Sequence, residues 1–362
     1  MIRPQPRVEQ LVRRQTPKVG RQSKLRLDIN ENIAGWPESV IREVLSSITP
    51  GDLATYPETH ALYASIARRH GVTTGQVLVA NGSELVIRYV FEAFLGPGSE
   101  LLILDPSFAM FEVYGRLYGA DIVKVPFGPR LDASVEAVLG RLTSKTRVVA
   151  IANPNNPTGT VFSPADLVAI TTRAAALDGL VLVDEAYFYF YRETMAPLVA
   201  EFGNLIVTRT FSKAFGLAGV RIGYALGAPA VMEIVQKLQP IDHASVFAVK
   251  FGQYAIEHEE LAWDYAREVA AGKTYLAEAL RALGLVVVDS HANFILVDLG
   301  GDRERVIREL QDSVLLGTTV RLPFPNEYIK ITVGPVREME RLVGALRPSL
   351  AHRAAGAARV QE

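Results

Sequence analysis

The chain has 362 residues, of which 49% are hydrophobic, and its formal net charge is −1 at pH 7. A chain of this length and composition can bury a large core and is expected to form about two domains. The balance of acidic and basic residues gives no overall field that would attract nucleic acid or an anionic membrane. The absence of cysteine excludes disulfides, thiolate zinc sites and a cysteine nucleophile. We expect small-molecule chemistry in a reducing cytoplasm.

The N-terminal segment is basic, but no continuous apolar stretch follows it. A secretory signal needs such a stretch, and a membrane-spanning helix needs about 20 apolar residues. We interpret the segment as a solvated arm, which lies over a neighbouring subunit or stays mobile, rather than as a transit peptide or a nucleic-acid patch.

Short apolar runs of strand length then alternate with longer helical patterns. The predicted strands are residues 76–80, 101–104, 147–152, 180–184 and 204–208. The predicted helices are residues 82–95, 164–177 and 229–238. Strands separated by helices indicate crossover connections, so we predict an α/β fold with a mostly parallel sheet and helices on both faces.

The pattern changes after about residue 248. A long charged helical stretch over 248–283 is followed by predicted strands at 286–288, 294–297 and 329–333 and by a helix at 303–311. We predict a smaller α+β domain here, completed by the N-terminal segment, in which residues 37–47 read as a helix. The predicted organisation is therefore an arm and part of the small domain (1–45), a large domain (46–248), the small domain (249–350) and a frayed Ala-rich tail (351–362).

Lys213 is the strongest candidate for a catalytic residue. It follows the apolar run 205–207, inside a segment that ends with Arg221 and contains Ser212 and two glycines. A lone lysine on a loop is usually a surface residue. Next to a hydroxyl, a glycine-rich turn and an arginine, it can form a Schiff base beside a phosphate site and later act as a proton-transfer base. This chemistry is that of pyridoxal phosphate.

The phosphate of such a cofactor needs hydrogen-bond donors. Asn81-Gly82-Ser83-Glu84 follows a predicted strand and opens a predicted helix, where backbone N–H groups and the helix dipole favour an anion. Alone, this sequence would only be a turn with a helix cap. The predicted cofactor-binding residues of this part are Gly82, Ser83, Glu84, Ser212 and Arg221.

The cofactor ring needs a partner for its nitrogen and contacts for its faces and its oxygen. Asp184 ends an apolar strand, where a carboxylate can keep the ring nitrogen protonated, although structural aspartates at strand ends are common. Tyr187 and Asn156 can donate hydrogen bonds to the ring oxygen. Phe108 can stack on the ring, or it is an ordinary core aromatic. The predicted catalytic residues are Lys213, Asp184 and Tyr187.

Taken together and in order, these motifs resemble the fold-type I pyridoxal phosphate enzymes of the class I/II aminotransferase superfamily. They are most similar to its histidinol-phosphate aminotransferase-like branch. The resemblance extends over nearly the whole chain, from Asp28-Ile-Asn-Glu-Asn32 to Ile331-Thr-Val-Gly334. It implies a homodimer with active sites at the interface, in which Tyr56 reaches the phosphate of the partner's cofactor.

The chain departs from this branch where the substrate is expected. Asn32 is followed by Ile33, whereas the branch often has an aromatic residue near this turn, and Lys330 replaces an arginine that grips the substrate anion. A lysine cannot hold an oxyanion bidentately as an arginine does. A second anion-binding arginine is retained as Arg321, and residues 241–245 also depart from the branch near the expected pocket. The resemblance thus implies a small phosphorylated or carboxylated amine as substrate, bound by Asn32, Ile33, Arg321 and Lys330.

Aminotransfer with Lys213 as the base, and 2-oxoglutarate as a candidate acceptor, is the function we expect. The same machinery can instead decarboxylate an O-phospho amino acid, or perform another biosynthetic reaction that depends on pyridoxal phosphate. Other function classes fit less well. An effector-binding domain of a transcription regulator would carry a DNA-binding domain, for which the roughly 24 residues before Leu25 are too few. A nicotinamide dehydrogenase would show a Gly-x-Gly-x-x-Gly turn. We expect no metal site, since His258 lies beside glutamates on a charged helix face.

Overall fold

The computed structural model describes residues 2–11, 20–128, 131–317, 319–322 and 327–358, and only the backbone of Arg321 and of residues 351–358. The helices are α1 (Pro6–Glu9), α2 (Glu38–Ser46), α3 (Pro50–Ala54), α4 (His60–His70), α5 (Ser83–Phe94), α6 (Ala109–Tyr118), α7 (Val135–Leu139), α8 (Pro164–Ala175), α9 (Phe188–Tyr191), α10 (Pro229–Gln236), α11 (Val246–Glu257), α12 (Glu260–Ala282), α13 (Arg303–Leu310) and α14 (Val336–Ala358). The strands are β1 (Leu25–Leu27), β2 (Val77–Ala80), β3 (Glu100–Asp105), β4 (Asp121–Pro126), β5 (Thr146–Ala152), β6 (Leu180–Asp184), β7 (Leu205–Thr210), β8 (Gly223–Gly227), β9 (Val286–Val288), β10 (Phe294–Asp298), β11 (Val314–Leu316), β12 (Thr319–Arg321) and β13 (Glu327–Thr332).

Seven strands form the large sheet in the order β2-β8-β7-β6-β5-β3-β4. Strands β3 to β7 pair in parallel, and β8 runs antiparallel to both of its neighbours. Alternate strand residues enter two different cores: Leu102 belongs to one, whereas Leu101 and Ile103 belong to the other. Since side chains alternate across a strand, the two cores lie on opposite faces of the sheet, as predicted for an α/β fold.

The parallel register places the ends of neighbouring strands at one edge of the sheet. Ala152 of β5 pairs with Asp184 of β6, and Asp184 pairs with Thr208 of β7. The start of β8 reaches the same edge, because Gly223 pairs with both Ala80 and Thr210. Ligands of open α/β sheets bind beyond such an edge.

A second sheet of four antiparallel strands has the order β12-β13-β10-β9, and β1 pairs in parallel with β11 beside it. Its core joins residues at both ends of the chain, among them Leu27, Ile295, Ile331 and Leu346. This association of the N-terminal segment with the C-terminal strands is the one expected for the small domain.

The long predicted helix over 248–283 is two helices, because α11 ends at Glu257 and His258 leaves the helical conformation with φ −123° and ψ 56°. Helix α11 packs its Phe251 and Ile256 into the core that also holds strands of the large sheet. We propose that the two-domain division holds, with the boundary near His258 rather than at residue 249.

Two strands of the large sheet were missed by the sequence pattern. Strand β4 lies at the edge of the sheet and is half-exposed, so it lacks a continuous apolar run. Strand β8 contains Gly223 and Gly227, which lower strand propensity. A Cβ at position 223 would lie 2.5 Å from the backbone nitrogen of Ser83, so only glycine fits where β8 approaches the start of α5.

Helix α14 continues to Ala358, past the predicted end of the small domain at residue 350, and residues 359–362 lie outside the described part. Whether this last part frays stays a prediction. Among the described residues, none of the helices combines the length and the apolar character that a membrane span requires.

Candidate active site

A cleft of about 740 Å³ opens at the carboxyl edge of the large sheet. It is lined by residues that were predicted separately from the sequence, namely Gly82, Ser83, Glu84, Phe108, Asn156, Asp184, Tyr187, Ser212, Lys213 and Arg221. The structure therefore brings together residues that are up to 139 positions apart in the chain, since 221 − 82 = 139. The turns that follow β2, β3, β5, β6 and β7 supply them.

Lys213 follows β7 and turns its amine into this cleft. Its Nζ donates a hydrogen bond to the carbonyl oxygen of Ile29 at 2.8 Å and lies 6.0 Å from the centre of the Tyr187 ring. Burial lowers the pKa of Lys213 to about 8, and Glu31 and Asp184 oppose this decrease. An amine with this pKa is partly unprotonated near neutral pH, so it can act as a nucleophile and as a base.

Asp184 is the last residue of β6 and is buried. Its Oδ1 accepts a hydrogen bond from the hydroxyl of Thr208 at 2.8 Å, on the neighbouring strand. Burial raises the pKa of Asp184 to about 6, although Thr208 and the charge of Lys213 lower it. A buried carboxylate without a paired cation favours a protonated ring nitrogen as its partner.

Tyr187 lies three residues beyond Asp184, on the wall of the cleft. Its hydroxyl accepts a hydrogen bond from Nδ2 of Asn30 at 2.7 Å, and its ring packs edge-on against Phe294 with centroids 5.5 Å apart. Burial raises the pKa of the Tyr187 phenol well above its ordinary value, so the phenol stays protonated at neutral pH. A protonated phenol can donate a hydrogen bond into the cleft.

An anion cradle lies at the start of α5. Gly82 precedes the helix with φ 87°, and none of the described side chains caps the helix start. A Cβ at position 82 would lie 2.7 Å from Nη2 of Arg221, whose Nη1 donates to the hydroxyl of Ser212 at 3.4 Å. N–H groups at the start of α5, two hydroxyls and a guanidinium thus lie next to Gly82, as at an anion-binding helix start.

The remaining predicted cofactor contacts line the same cleft. Phe108 stands at the start of α6 and packs edge-on against Phe111. Glu84 accepts a hydrogen bond from the hydroxyl of Tyr114 at 2.7 Å. Oδ1 of Asn156 accepts a hydrogen bond from Nζ of Lys330 at 3.2 Å, which places that lysine at the edge of the cleft.

Lys330 comes from β13 of the small domain. Its Nζ lies 5.2 Å from the centre of the Phe294 ring, and burial together with the charge of Lys213 lowers its pKa to about 7. Asp28 opposes this decrease. An anion that enters the cleft would favour the protonated, charged form of this lysine.

Asn32 and Ile33, which were predicted to bind the substrate, lie away from the cleft lining. Asn32 donates to the carbonyl oxygen of Ala214 at 3.0 Å and accepts from the N–H groups of Ala34 and Gly35, so its side chain holds a turn behind Lys213. Ile33 contacts Gly334 and joins the core of the small domain. Both side chains thus have contacts within the protein, and their role in substrate binding stays a prediction.

Tyr56 is 77% exposed and lines a neighbouring hollow instead. That hollow shares Asn81 and Leu85 with the cleft and also contains Asp242, His243, Ala244 and Ser245, so part of the departing stretch 241–245 lies beside the cleft, as expected. The backbone of Arg321 belongs to β12, but its side chain lies outside the described part of the structure.

Several residues of the site were missed. Asn30 was noted only as part of a motif, and its contact with Tyr187 spans 157 positions, which no local pattern signals. Thr208 could have been found, because a polar residue follows the apolar run of β7. Arg88 also lines the cleft, and it lies one helical turn after Glu84. Helical spacing could therefore have shown that it shares a helix face with Glu84. Among the described residues, no cluster of side chains could hold a metal ion.

The comparisons with known proteins agree with this arrangement. The family model for aminotransferase class I and II matches residues 22–346. The histidinol-phosphate aminotransferase 1 of Carboxydothermus hydrogenoformans is 32% identical over 326 residues, 89% of this chain and 92% of that protein. The histidinol-phosphate aminotransferase of Thermobifida fusca is 36% identical over 274 residues, 75% of this chain and 73% of that protein.

Solved structures show the same fold. The histidinol-phosphate aminotransferase of Sinorhizobium meliloti, in complex with pyridoxal-5'-phosphate, has a TM-score of 0.84 at 24% identity and covers 97% of this chain and 98% of its own. An aspartate aminotransferase of Thermus thermophilus with maleate has a TM-score of 0.77 at 22% identity, over 90% and 92% of the two chains. The predicted fold class and family resemblance are therefore confirmed: the chain belongs to the class I and II aminotransferases and is most similar to their histidinol-phosphate aminotransferase-like branch.

Proposed function

We propose that this protein is a pyridoxal phosphate-dependent aminotransferase that acts on a small anionic amine, phosphorylated or carboxylated. The observation that supports it most is the shared cleft of Lys213, Asp184 and Arg221, in which an amine of lowered pKa faces a buried carboxylate and an anion cradle. When bound, pyridoxal phosphate supplies an aldehyde that takes up amines and a ring that withdraws electrons from the neighbouring carbon.

The residues of the cradle fit the anionic tail of this cofactor. Gly82 carries no side chain where Arg221 passes, and the first turn of α5 points its N–H groups at the same space. Ser83 and Ser212 add hydroxyl donors, and Arg221 adds the compensating charge. A phosphate at a helix start with an arginine beside it is held by charge-assisted hydrogen bonds.

The opposite side of the cleft fits a protonated pyridine ring. The Asp184 carboxylate is buried and lacks a paired arginine or lysine among its described hydrogen bonds, so an N–H of a ring would complete its surroundings. Tyr187, Asn156 and Phe108 line the same cleft, where Tyr187 and Asn156 would donate hydrogen bonds to the ring oxygen and Phe108 would contact the ring. Buried ring contacts of this kind also exclude water from the reacting carbon.

Lys213 has the properties of the attachment residue and of the base. Its pKa of about 8 keeps a useful fraction of the amine unprotonated near neutral pH, while Asp184 and Glu31 keep the protonated form accessible. It can therefore remove a proton from the substrate carbon and return it to a different atom. Lys330, with Arg321 on the adjacent strand, would hold the substrate anion.

Two further proposals follow from the family. We infer a homodimer in which Tyr56 of one subunit reaches the cofactor phosphate of the other, which accords with the exposure of Tyr56 in the hollow beside the cleft. A cytoplasmic location stays a prediction. Decarboxylation of an O-phospho amino acid is not favoured, because the similar curated proteins bear aminotransferase names.

The attachment can be tested directly. The purified protein loaded with pyridoxal phosphate should absorb visible light, and borohydride should fix the cofactor to the peptide that contains Lys213. The Lys213→Ala variant should lose turnover by at least about 10³-fold because it lacks the base. Lys237→Ala, which changes an exposed lysine of the large domain, is the control.

Label on another lysine, or substantial turnover by Lys213→Ala, would contradict the assignment. The reaction type is then read from the products of candidate anionic amines. Pyridoxamine phosphate indicates aminotransfer, whereas released carbon dioxide indicates decarboxylation.

A further inference from the structure

The segment Asp28–Asn32 contacts the site at three points. The carbonyl oxygen of Ile29 accepts the hydrogen bond of Lys213, the amide of Asn30 contacts Tyr187, and Asn32 donates to the carbonyl oxygen of Ala214. Asn30 is buried and has φ 60°, a left-handed conformation that asparagine tolerates better than most residues. The position of Asn30 therefore determines the hydrogen-bond partner of the Tyr187 phenol.

The small domain fixes the orientation of the Asn30 amide. The backbone N–H of Asn30 donates to Oγ1 of Thr332 at 3.0 Å, so this hydroxyl acts as an acceptor there. Its own hydrogen is then directed to Oδ1 of Asn30, 3.3 Å away. Since Oδ1 faces Thr332, Nδ2 must face Tyr187. Asn293 holds the same residue by donating to the carbonyl oxygen of Asn30 at 3.2 Å.

The direction of one hydrogen bond follows from this arrangement. An amide nitrogen only donates, so the Tyr187 oxygen accepts from Asn30 and its own hydrogen has to point elsewhere. The phenol lines the cleft, and its ring is held edge-on by Phe294. The charged groups that face it are Lys213 and Asp184. The open direction for the phenol hydrogen is the cleft.

We propose that Asn30 and Thr332 are positioning residues that make Tyr187 a hydrogen-bond donor to the cofactor ring oxygen. The inference rests on the proposed function, because it needs the ring to lie where Tyr187 faces the cleft. It also assigns the small domain a part in tuning the cofactor, since Thr332 lies on β13, two residues after Lys330.

The test compares Thr332→Val, Thr332→Ser and Asn30→Gly with Tyr187→Phe. Valine has the shape of threonine without its hydroxyl, serine restores the hydroxyl, and glycine keeps the left-handed backbone of position 30 without the amide. The readout is the pH at which the visible band of the cofactor-loaded protein changes. A hydrogen bond donated to the ring oxygen favours the deprotonated form of the bound cofactor. Loss of this hydrogen bond should therefore raise the midpoint pH by up to about one unit.

We expect Thr332→Val and Asn30→Gly to shift the midpoint upward, toward the value of Tyr187→Phe, and Thr332→Ser to titrate like the wild type. Thr171→Val is the matched control, because Thr171 is equally buried but donates within α8 to the carbonyl oxygen of Leu167. Thermal unfolding of every variant separates a general loss of stability from the shift of the midpoint.

A second readout uses the cofactor-free protein. With carbon-13-labelled tyrosine rings, the chemical shift of the Tyr187 phenol carbon should change in Asn30→Gly and stay at the wild-type value in Thr171→Val, because, of these two residues, only Asn30 donates to the phenol oxygen. If Tyr187→Phe shifts the visible midpoint while Thr332→Val and Asn30→Gly do not, the positioning role is overturned and the proposed function stands. If the wild type binds no pyridoxal phosphate, the result contradicts both the positioning role and the proposed function.

Discussion

At one end of the cleft, Gly82, Ser212 and Arg221 come from turns next to strands of a single sheet, whereas at the other end Lys330 and Asn30 come from distant parts of the chain. The first end offers backbone N–H groups and the fixed charge of Arg221. The second depends on side chains that the small domain brings in, with contacts such as that of Asn30 with Thr332 spanning 302 positions. On the proposed function, the large sheet would supply the phosphate site, whereas the small domain would supply the substrate contact of Lys330 and would position Tyr187 through Asn30.

The same contrast appears between two adjacent carboxylates. Glu185 is buried and is paired with Arg209, whose Nε and Nη2 each lie 2.8 Å from its Oε2. Asp184 is also buried but accepts its side-chain hydrogen bond from an uncharged hydroxyl, that of Thr208. A satisfied buried pair stabilises the fold, whereas a carboxylate without a cation is costly and points to a ligand.

The largest expected effect is on turnover and comes from replacing Asp184, whereas replacing Glu185 should act on stability. Asp184→Asn should reduce turnover on the order of 10²–10³-fold, because a fixed charge at the ring is lost. Yet the cofactor-free variant should be more stable than the wild type at pH 8. Burial raises the pKa of Asp184 from 3.8 to about 6, so the folded protein carries the cost of the charged form above pH 6.

That cost is on the order of 2–3 kcal/mol, and it should disappear as the pH falls from about 6 toward 4, where the carboxyl is protonated in the folded state. Denaturant unfolding of the cofactor-free proteins at pH 8 and pH 5 measures it. Glu185→Gln is the counterpart and should lose about 3–5 kcal/mol, since Arg209 is left without its partner. Equal stability changes in Asp184→Asn and Glu185→Gln would contradict the difference proposed between a carboxylate without a cation and a paired one.

The next effect concerns the anion cradle. Gly82→Ala places a Cβ against the guanidinium of Arg221, which must move away from the phosphate position. We expect the dissociation constant for pyridoxal phosphate to rise about tenfold, or about 1.4 kcal/mol. Gly98→Ala is the matched control: Gly98 has φ 84°, close to the 87° of Gly82, but no atom lies within 4 Å of its added Cβ.

Both glycine variants should lose about 1–2 kcal/mol of stability from the left-handed backbone. Only Gly82→Ala should lose cofactor affinity. A titration of the cofactor-free proteins measures the affinity, and equal affinities in the two variants would show that the cradle does not hold the phosphate.

The two ends of the cleft differ in how far their residues lie from one another in the chain, and this difference explains what could be predicted from the sequence. Asp184 ends a buried strand, and Gly82 and Lys213 follow the ends of buried strands by two and three residues, so local pattern and the rules of parallel sheets place them at one edge. The strand β8 was missed because its glycines serve close packing against Ser83, a tertiary requirement that lowers its strand character.

At the substrate end, local pattern gave the residues but not their surroundings. Ile33 and Asn32 were predicted to bind the substrate, and local pattern did not indicate that Ile33 also packs against the small-domain core and that Asn32 holds a turn. Asn30, between the arm and these residues, contacts Tyr187 only because β13 holds it. Such contacts depend on how the two sheets are arranged, which no short-range periodicity records.

The last expected effect concerns the pH dependence of substrate binding at Lys330. The pKa of Lys330 is lowered to about 7, so its amine is charged at pH 6 and mostly neutral at pH 8. The KM for an anionic amine should therefore rise about tenfold between these pH values, because above pH 7 binding must also recruit a proton. In Lys330→Arg the guanidinium stays charged, and KM should change much less over the same range.

The ratio of the two KM profiles separates Lys330 from the titration of the substrate, which is the same for both proteins. Lys330→Met serves as a further control and should raise KM at pH 6, where the wild-type lysine is charged. Parallel profiles for the wild type and Lys330→Arg would mean that Lys330 does not meet the substrate anion. The anion would then have to be held elsewhere, and the replacement of the family's arginine would not bear on substrate binding.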